Sequence, residues 1–337
     1  MNSNNDSILI FEPFKFHYEC TPGFSKYFTD LGYNVDIIMN KIGITSFCYF
    51  EPIEKIRLFI YEEIEKLENN TNYFSPIFNK YKYILIETTQ PNKYNLYKNL
   101  NLLNINKSLF VFHHIDFVNS SYFKNKIKKH QILSLGHFSL GTQINPHYFG
   151  DLRLKNKNRN TTFFLTSTIN RNYKFLITAF ETIQTENLSF HVNVVGKSHV
   201  FSKNDLSKKL INYFTFEYMI SYSELYKKID NSDFIIINFD PKNIEDIRFN
   251  KIRVTGSSQL VYGFLKPAII HKDFAKFYNF NYSNSIIYDN KNFTQSIRNA
   301  IIMDNKRYKS IQENLSSLER QIYMESFDNL KKSLKIL

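Results

Sequence analysis

DFIIINFDPKNIEDIRFNKIRVTGSSQLVYGFLKPAIIHKDFAKFYNFNYSNSIIYD, residues 233–289, parses as strand, long loop, helix, strand, short helix, strand. Residues 234–239 form an apolar run of strand length. Thr255, Gly256, Ser257 and Ser258 open a helical pattern that closes at Gly263, and Pro267 starts the next apolar run. A turn of Gly, Ser and Thr leading into a helix offers backbone N–H groups beside the positive end of the helix dipole, a ready site for phosphate. Ligands of open α/β sheets collect where strands end and helices begin, which makes this turn the first candidate site.

The same alternation continues in both directions. Upstream, residues 162–166 read as a strand, and Phe175, Leu176, Ala179, Phe180 and Ile183 line one helical face. Residues 191–195 are a strand ending at Gly196, and residues 223–229 a short helix capped by Ser221 or Ser223. Downstream, Phe293, Ile297 and Ile301 continue as helix, and the spacing from Leu315 to Leu334 predicts a long amphipathic one.

The first half begins with a strand over residues 7–11, a turn-rich loop through His17, Glu19 and Cys20, a helix stopped by Gly32, and a strand over 34–39. That is one βαβ unit. Residues 53–67 are amphipathic and predict a helix; residues 83–86, 109–112 and 131–135 read as buried parallel strands. The polar, basic segment 141–160, with Pro146, is the candidate linker. The expected domains are 1–145 and 161–337 around a linker at 146–160, with the terminal helix packing back on the first domain. The expected fold class is α/β, two Rossmann-like domains facing across a cleft, and such a cleft is the default binding site.

Composition narrows the function classes. At 337 residues and 43% hydrophobic content the chain suits two domains with real cores. No run approaches the roughly 20 apolar residues of a membrane span, and no signal peptide is visible. Two cysteines, Cys20 and Cys48, lack metal spacing, so a reducing, cytoplasmic setting is expected. The formal charge of +12 asks for an acidic partner. Basic clusters at 124–129, 153–159 and 331–335 carry no nucleic-acid module signature. Nucleic acid is therefore not an expected partner; weak, peripheral contact with an anionic membrane surface is.

The second half resembles the nucleotide-sugar-binding domain of GT-B glycosyltransferases of the family 4-like kind. The likeness rests on FFLTSTINRNYKFLITAFETI (163–183), FHVNVVG (190–196), FEYMISYSELYKKIDNSDFIIINF (216–239) and TGSSQLVYGFLKPAII (255–270), taken in that order. It covers roughly residues 162–289. Retaining members of that architecture carry two glutamates seven residues apart at the phosphate-site helix. Here Lys251 or its neighbours, and Ser258 or Gln259, stand in those places, while Glu245 and Asp246 lie upstream. The resemblance implies a sugar-nucleotide fold with no cofactor. With no DxD motif at a strand end, it also implies no metal.

The candidate donor-binding residues follow. Charge develops on the leaving diphosphate in the transition state and must be stabilised. Arg171 and Lys174 match the family's basic loop, and Arg253, just before the TGSS turn, has the bidentate geometry for phosphate. Gly256, Ser257 and Ser258, with Thr255 as cap, would supply amides and hydroxyls. Gly196 ends a strand beside the same site, and Glu217 is a candidate for a base or ribose edge.

In the first half, His17 and Glu19 sit on the first βα loop, where a general base could act on an acceptor hydroxyl. His113 and His114 end another strand and point to opposite faces; His114 with Asp116 is the pair that resembles the family's donor-sugar contact. The expected activity is metal-independent glycosyl transfer from a nucleoside-diphosphate sugar to a cell-surface glycan or lipid-linked acceptor, in polysaccharide biosynthesis. A catalytically silent GT-B-like glycan-binding or partner subunit and a nucleotide-sugar 2-epimerase are the alternatives.

Overall fold

The structure is a computed structural model and describes residues 6–50, 54–62, 69, 71–104, 106–146, 150–167, 171–196 and 201–336. The chain divides into two compact units. Unit 1 comprises Met1–Phe149, Ile252–Val254 and Ile322–Leu337; unit 2 comprises Gly150–Lys251 and Thr255–Gln321. The second half is therefore not one contiguous domain: three residues before Thr255 and the end of the terminal helix Asn305–Ile336 group with unit 1.

Unit 1 is a seven-stranded sheet in the order β3-β2-β1-β4-β5-β6-β7. Its strands are β1 (Ser7–Phe11), β2 (Asn34–Asn40), β3 (Ile56–Tyr61), β4 (Tyr83–Ile86), β5 (Ser108–Phe112), β6 (Ile132–Ser134) and β7 (Thr142–Gln143). Every pairing is parallel. β1 and β5 are buried along their whole length and β4 from Ile84 on, the pattern of a parallel sheet covered on both faces.

Residues 53–67 differ from the expected helix, since Ile56–Tyr61 is an edge strand; residues 53 and 63–67 lie outside the described set. The reason is tertiary. Arg57 Nε and Nη2 donate to Asp36 Oδ1 and Oδ2 at 2.7 and 2.8 Å, and the β-branched and aromatic run pairs in register with β2. β7 also takes Thr142 and Gln143 out of the segment read as a linker.

Unit 2 is a six-stranded parallel sheet in the order β10-β9-β8-β11-β12-β13. Its strands are β8 (Thr161–Ser167), β9 (Phe190–Gly196), β10 (Phe214–Tyr218), β11 (Phe234–Ile237), β12 (Ala268–His271) and β13 (Ser285–Tyr288). Helix Lys174–Thr185 buries Leu176, Ala179, Phe180 and Ile183 of the stripe read from the sequence, and Phe175 is half-buried against the same core. Helix Tyr222–Asp230 is capped by Ser221 in a capping box with Glu224. Each sheet reverses its strand order once, between β1 and β4 and between β8 and β11. Those reversals are where α/β sheets bind ligands.

Candidate functional site

In unit 2 the turn read as a candidate phosphate site caps a helix, as its sequence suggests. Helix Gly256–Phe264 starts at Thr255, whose side chain accepts from Ser257 N, and ends at Leu265 in the left-handed region. Ser258 Oγ donates to Thr255 O at 2.8 Å. The Tyr278 hydroxyl accepts from Thr255 N at 3.2 Å and donates to Phe249 O at 2.6 Å, fixing the chain as it enters the helix. Ser257 Oγ lies 3.1 Å from Thr166 Oγ1, which sets the helix N-terminus beside the end of β8.

The strand ends there carry unused polarity. β8 and β11 pair Phe234 with Phe163 through Ile236 with Leu165, and continuing that register sets Asn238 beside Ser167. On the other side Ser167 pairs with Gly196. Ser167 Oγ and Asn238 Oδ1 are buried and have no hydrogen-bond partner among the described residues. Gln259, which stands at an acid position of the resemblance, is also buried, and its Oε1 is equally unsatisfied among the described residues. Buried unsatisfied groups cost free energy, which makes Ser167 Oγ and Asn238 Oδ1, at the strand-order reversal, candidate ligand contacts.

Other predicted donor residues have different partners. Arg171 forms a buried ion pair with Asp246, and its guanidinium lies 4.5 and 4.8 Å from the ring centroids of Phe239 and Phe249. That ion pair engages the cation the resemblance assigned to the diphosphate, because Asp246, in the short helix Ile244–Ile247 after β11, reaches it from within the same unit. Asp246 in turn accepts from Asp240 N at 2.9 Å. Lys174 is exposed at the first turn of its helix. Glu217 is ion-paired with Lys228 at 2.8 Å. Gly196 has a local reason to be glycine: an added Cβ would lie 2.7 Å from Ser167 O. Arg253 groups with unit 1, where it forms an antiparallel bridge with His114 while Ile115 N donates to Ile252 O at 2.9 Å.

In unit 1 the sequence-predicted residues meet a group that pattern reading missed. The register that pairs Phe11 with Ile86 sets Glu12 beside Glu87, one on each side of the strand-order reversal. Both are fully buried. Phe14 N donates to Glu12 Oε1 at 2.7 Å and Thr88 Oγ1 to Glu12 Oε2, while Thr21 Oγ1 serves both oxygens of Glu87. Burial, then the Glu87 charge, pushes Glu12 well above the ordinary carboxylate range; burial, with Glu19 adding to it, does the same for Glu87. Two such groups favour a shared proton over two charges. The sequence signal, an acid directly after each of two apolar strands, was available.

Above them lies a histidine pair. His17, at φ 68°, stacks on His113 with ring centroids 3.9 Å apart and planes 24° apart. His17 Nδ1 is 3.5 Å from Glu19 Oε1. His113 Nε2 lies 3.2 Å from Glu87 O. Burial, then the neighbouring His17, pushes His113 well below the usual histidine range, so it is neutral at pH 7. His114, next in the chain, stacks on Phe117 with Nδ1 3.9 Å from Asp116. The structure thus brings His17 and Glu19 together with His113, and keeps His114 with Asp116.

No protein-family model matches the chain, and no curated protein matches its sequence. Solved structures do. HepE from Anabaena, in complex with UDP and glucose, is 13% identical with a TM-score of 0.60 over 98% of this chain and 100% of its own. ADP-heptose LPS heptosyltransferase II from E. coli is 9% identical with a TM-score of 0.53, covering 94% and 99%. A UDP-glucose:anthocyanidin 3-O-glucosyltransferase in complex with UDP is 11% identical, with a TM-score of 0.51 over 99% and 100%. The chain has the GT-B fold of these glycosyltransferases.

Proposed function

We propose that this protein is a glycosyltransferase that binds a nucleoside-diphosphate sugar at the β8/β11 strand ends of unit 2 and activates an acceptor hydroxyl with His17 of unit 1. The observation that carries the reading is the capped helix start at Thr255–Ser258, held at the end of β8 by Ser257 and Thr166, where the next strand residue, Ser167, and its register partner Asn238 carry buried, unsatisfied side-chain oxygens. The Gly256 amide and the helix dipole would stabilise the diphosphate as it leaves, with no metal in the scheme. His17, backed by Glu19, would accept the acceptor's proton. A fold shared with HepE, crystallised with UDP and glucose, supports this donor class. We further propose a glycan or lipid-linked acceptor at the cytoplasmic side of an anionic membrane, to which the charge of +12 would give weak attachment.

Calorimetric titration with UDP, dTDP, GDP and ADP tests the donor half. One of the four should bind, and Gly256→Asp should abolish it. That change puts a carboxylate where the phosphate would sit, yet suits the helix start, so lost binding would not reflect unfolding. Absence of heat with all four nucleotides sinks the reading. A silent glycan-binding or partner subunit is the second reading, motivated by Gln259 at an acid position; hydrolysis of the sugar nucleotide separates the two.

A further inference from the structure

We propose that His113 is the positioning residue for His17: its buried ring is the platform that sets the plane and reach of the His17 imidazole. The inference rests on the reading of His17 as the base. His17 occupies the left-handed backbone region at φ 68° and ψ 12°, uncommon for a residue with a side chain. Its carbonyl accepts from Cys20 N at 3.0 Å, which anchors the start of the short helix Tyr18–Cys20. The backbone is held, and the ring is then located by three contacts. Its face lies on His113 at 3.9 Å, the edge of Phe16 approaches at 4.9 Å, and Glu19 stands 3.5 Å from Nδ1.

His113 suits the role for two reasons. It follows the fully buried strand β5 and is itself only 8% exposed, with Nε2 3.2 Å from the Glu87 carbonyl, so it has little freedom of its own. A neutral imidazole under His17 accommodates both protonation states of the upper ring. A flat aromatic surface orients without fixing the charge.

The test compares His113→Phe, which keeps a flat ring, with His113→Ala, in the full chain. Two readouts are taken: NMR of the His17 ring protons through a pH titration, and release of UDP from UDP-glucose. The upfield displacement of the His17 signals by the underlying ring should persist in His113→Phe and vanish in His113→Ala. Turnover should fall by about 10²-fold in kcat in His113→Ala, with KM for UDP-glucose little changed and most of the rate restored by His113→Phe. If His113→Ala does not fold, His113→Leu replaces it, filling the volume without a ring. His17 signals and titration in His113→Ala identical to those of the unaltered protein would overturn the inference. If His17→Ala releases UDP at the normal rate while the NMR result is as expected, the base assignment fails alone and the platform stands.

Discussion

Replacing Arg171 by methionine removes one half of a buried ion pair and leaves Asp246, whose side chain is 2% exposed, without its cation. Breaking a buried pair from one side typically costs about 3–5 kcal/mol, because the remaining charge stays desolvated. The two ring contacts with Phe239 and Phe249 would each contribute about 0.5–1 kcal/mol for a cation, partly retained by the thioether. A net loss of about 4 kcal/mol is expected, equivalent to about 10³-fold in the opening equilibrium of the surrounding strands. Hydrogen exchange of peptides spanning β8 and β11 reads that loss directly where exchange proceeds through their opening. Adding Asp246→Asn removes the stranded charge and keeps an acceptor for Asp240 N, so more than half the protection should return. Exchange within tenfold of the unaltered protein in Arg171→Met would refute the reasoning. The double variant also separates roles: if Arg171 only braces the loop after β11, nucleotide binding returns along with stability.

Three further outcomes follow from other sites. Glu12 and Glu87 are raised in the folded state, so their contribution to stability is full below the ordinary carboxylate value and is lost as pH rises through the folded-state values; Glu87→Gln should flatten that decline in urea unfolding followed by circular dichroism from pH 5 to 8. Lys266, only 2% exposed and pushed down to about 8 chiefly by burial, behaves oppositely: the unfolded chain binds the extra proton between about 8 and 10.5, so stability should rise with pH there. At about 1.4 kcal/mol per tenfold change in proton affinity that rise is about 3 kcal/mol, and Lys266→Met should abolish it. Gly196→Ala forces a Cβ to 2.7 Å from Ser167 O and should cost about 1–3 kcal/mol, measured as a lower thermal midpoint.

Most of the fold was legible because its signals are local. Apolar runs of strand length over residues 7–11, 83–86 and 234–237, helices punctuated by Gly32 and Thr255, and the stripe from Leu176 to Ile183 each follow from periodicity and capping within a dozen residues. The failure at residues 56–61 has the same origin: an apolar, partly charged run suits a helix or an edge strand, and Asp36, twenty-one residues away from Arg57, chose the strand.

The site divides along the same line. The sequence by itself determined that Thr255–Ser258 would cap a helix after a strand and that His17 and Glu19 would sit on the first βα loop, since both depend on neighbours in the chain. Only the tertiary structure decided that Arg171 belongs to Asp246, that Glu12 stands beside Glu87, and that His17 lies on His113. Those pairings join residues as many as 96 positions apart, and strand order and register set them. No local period carries that information.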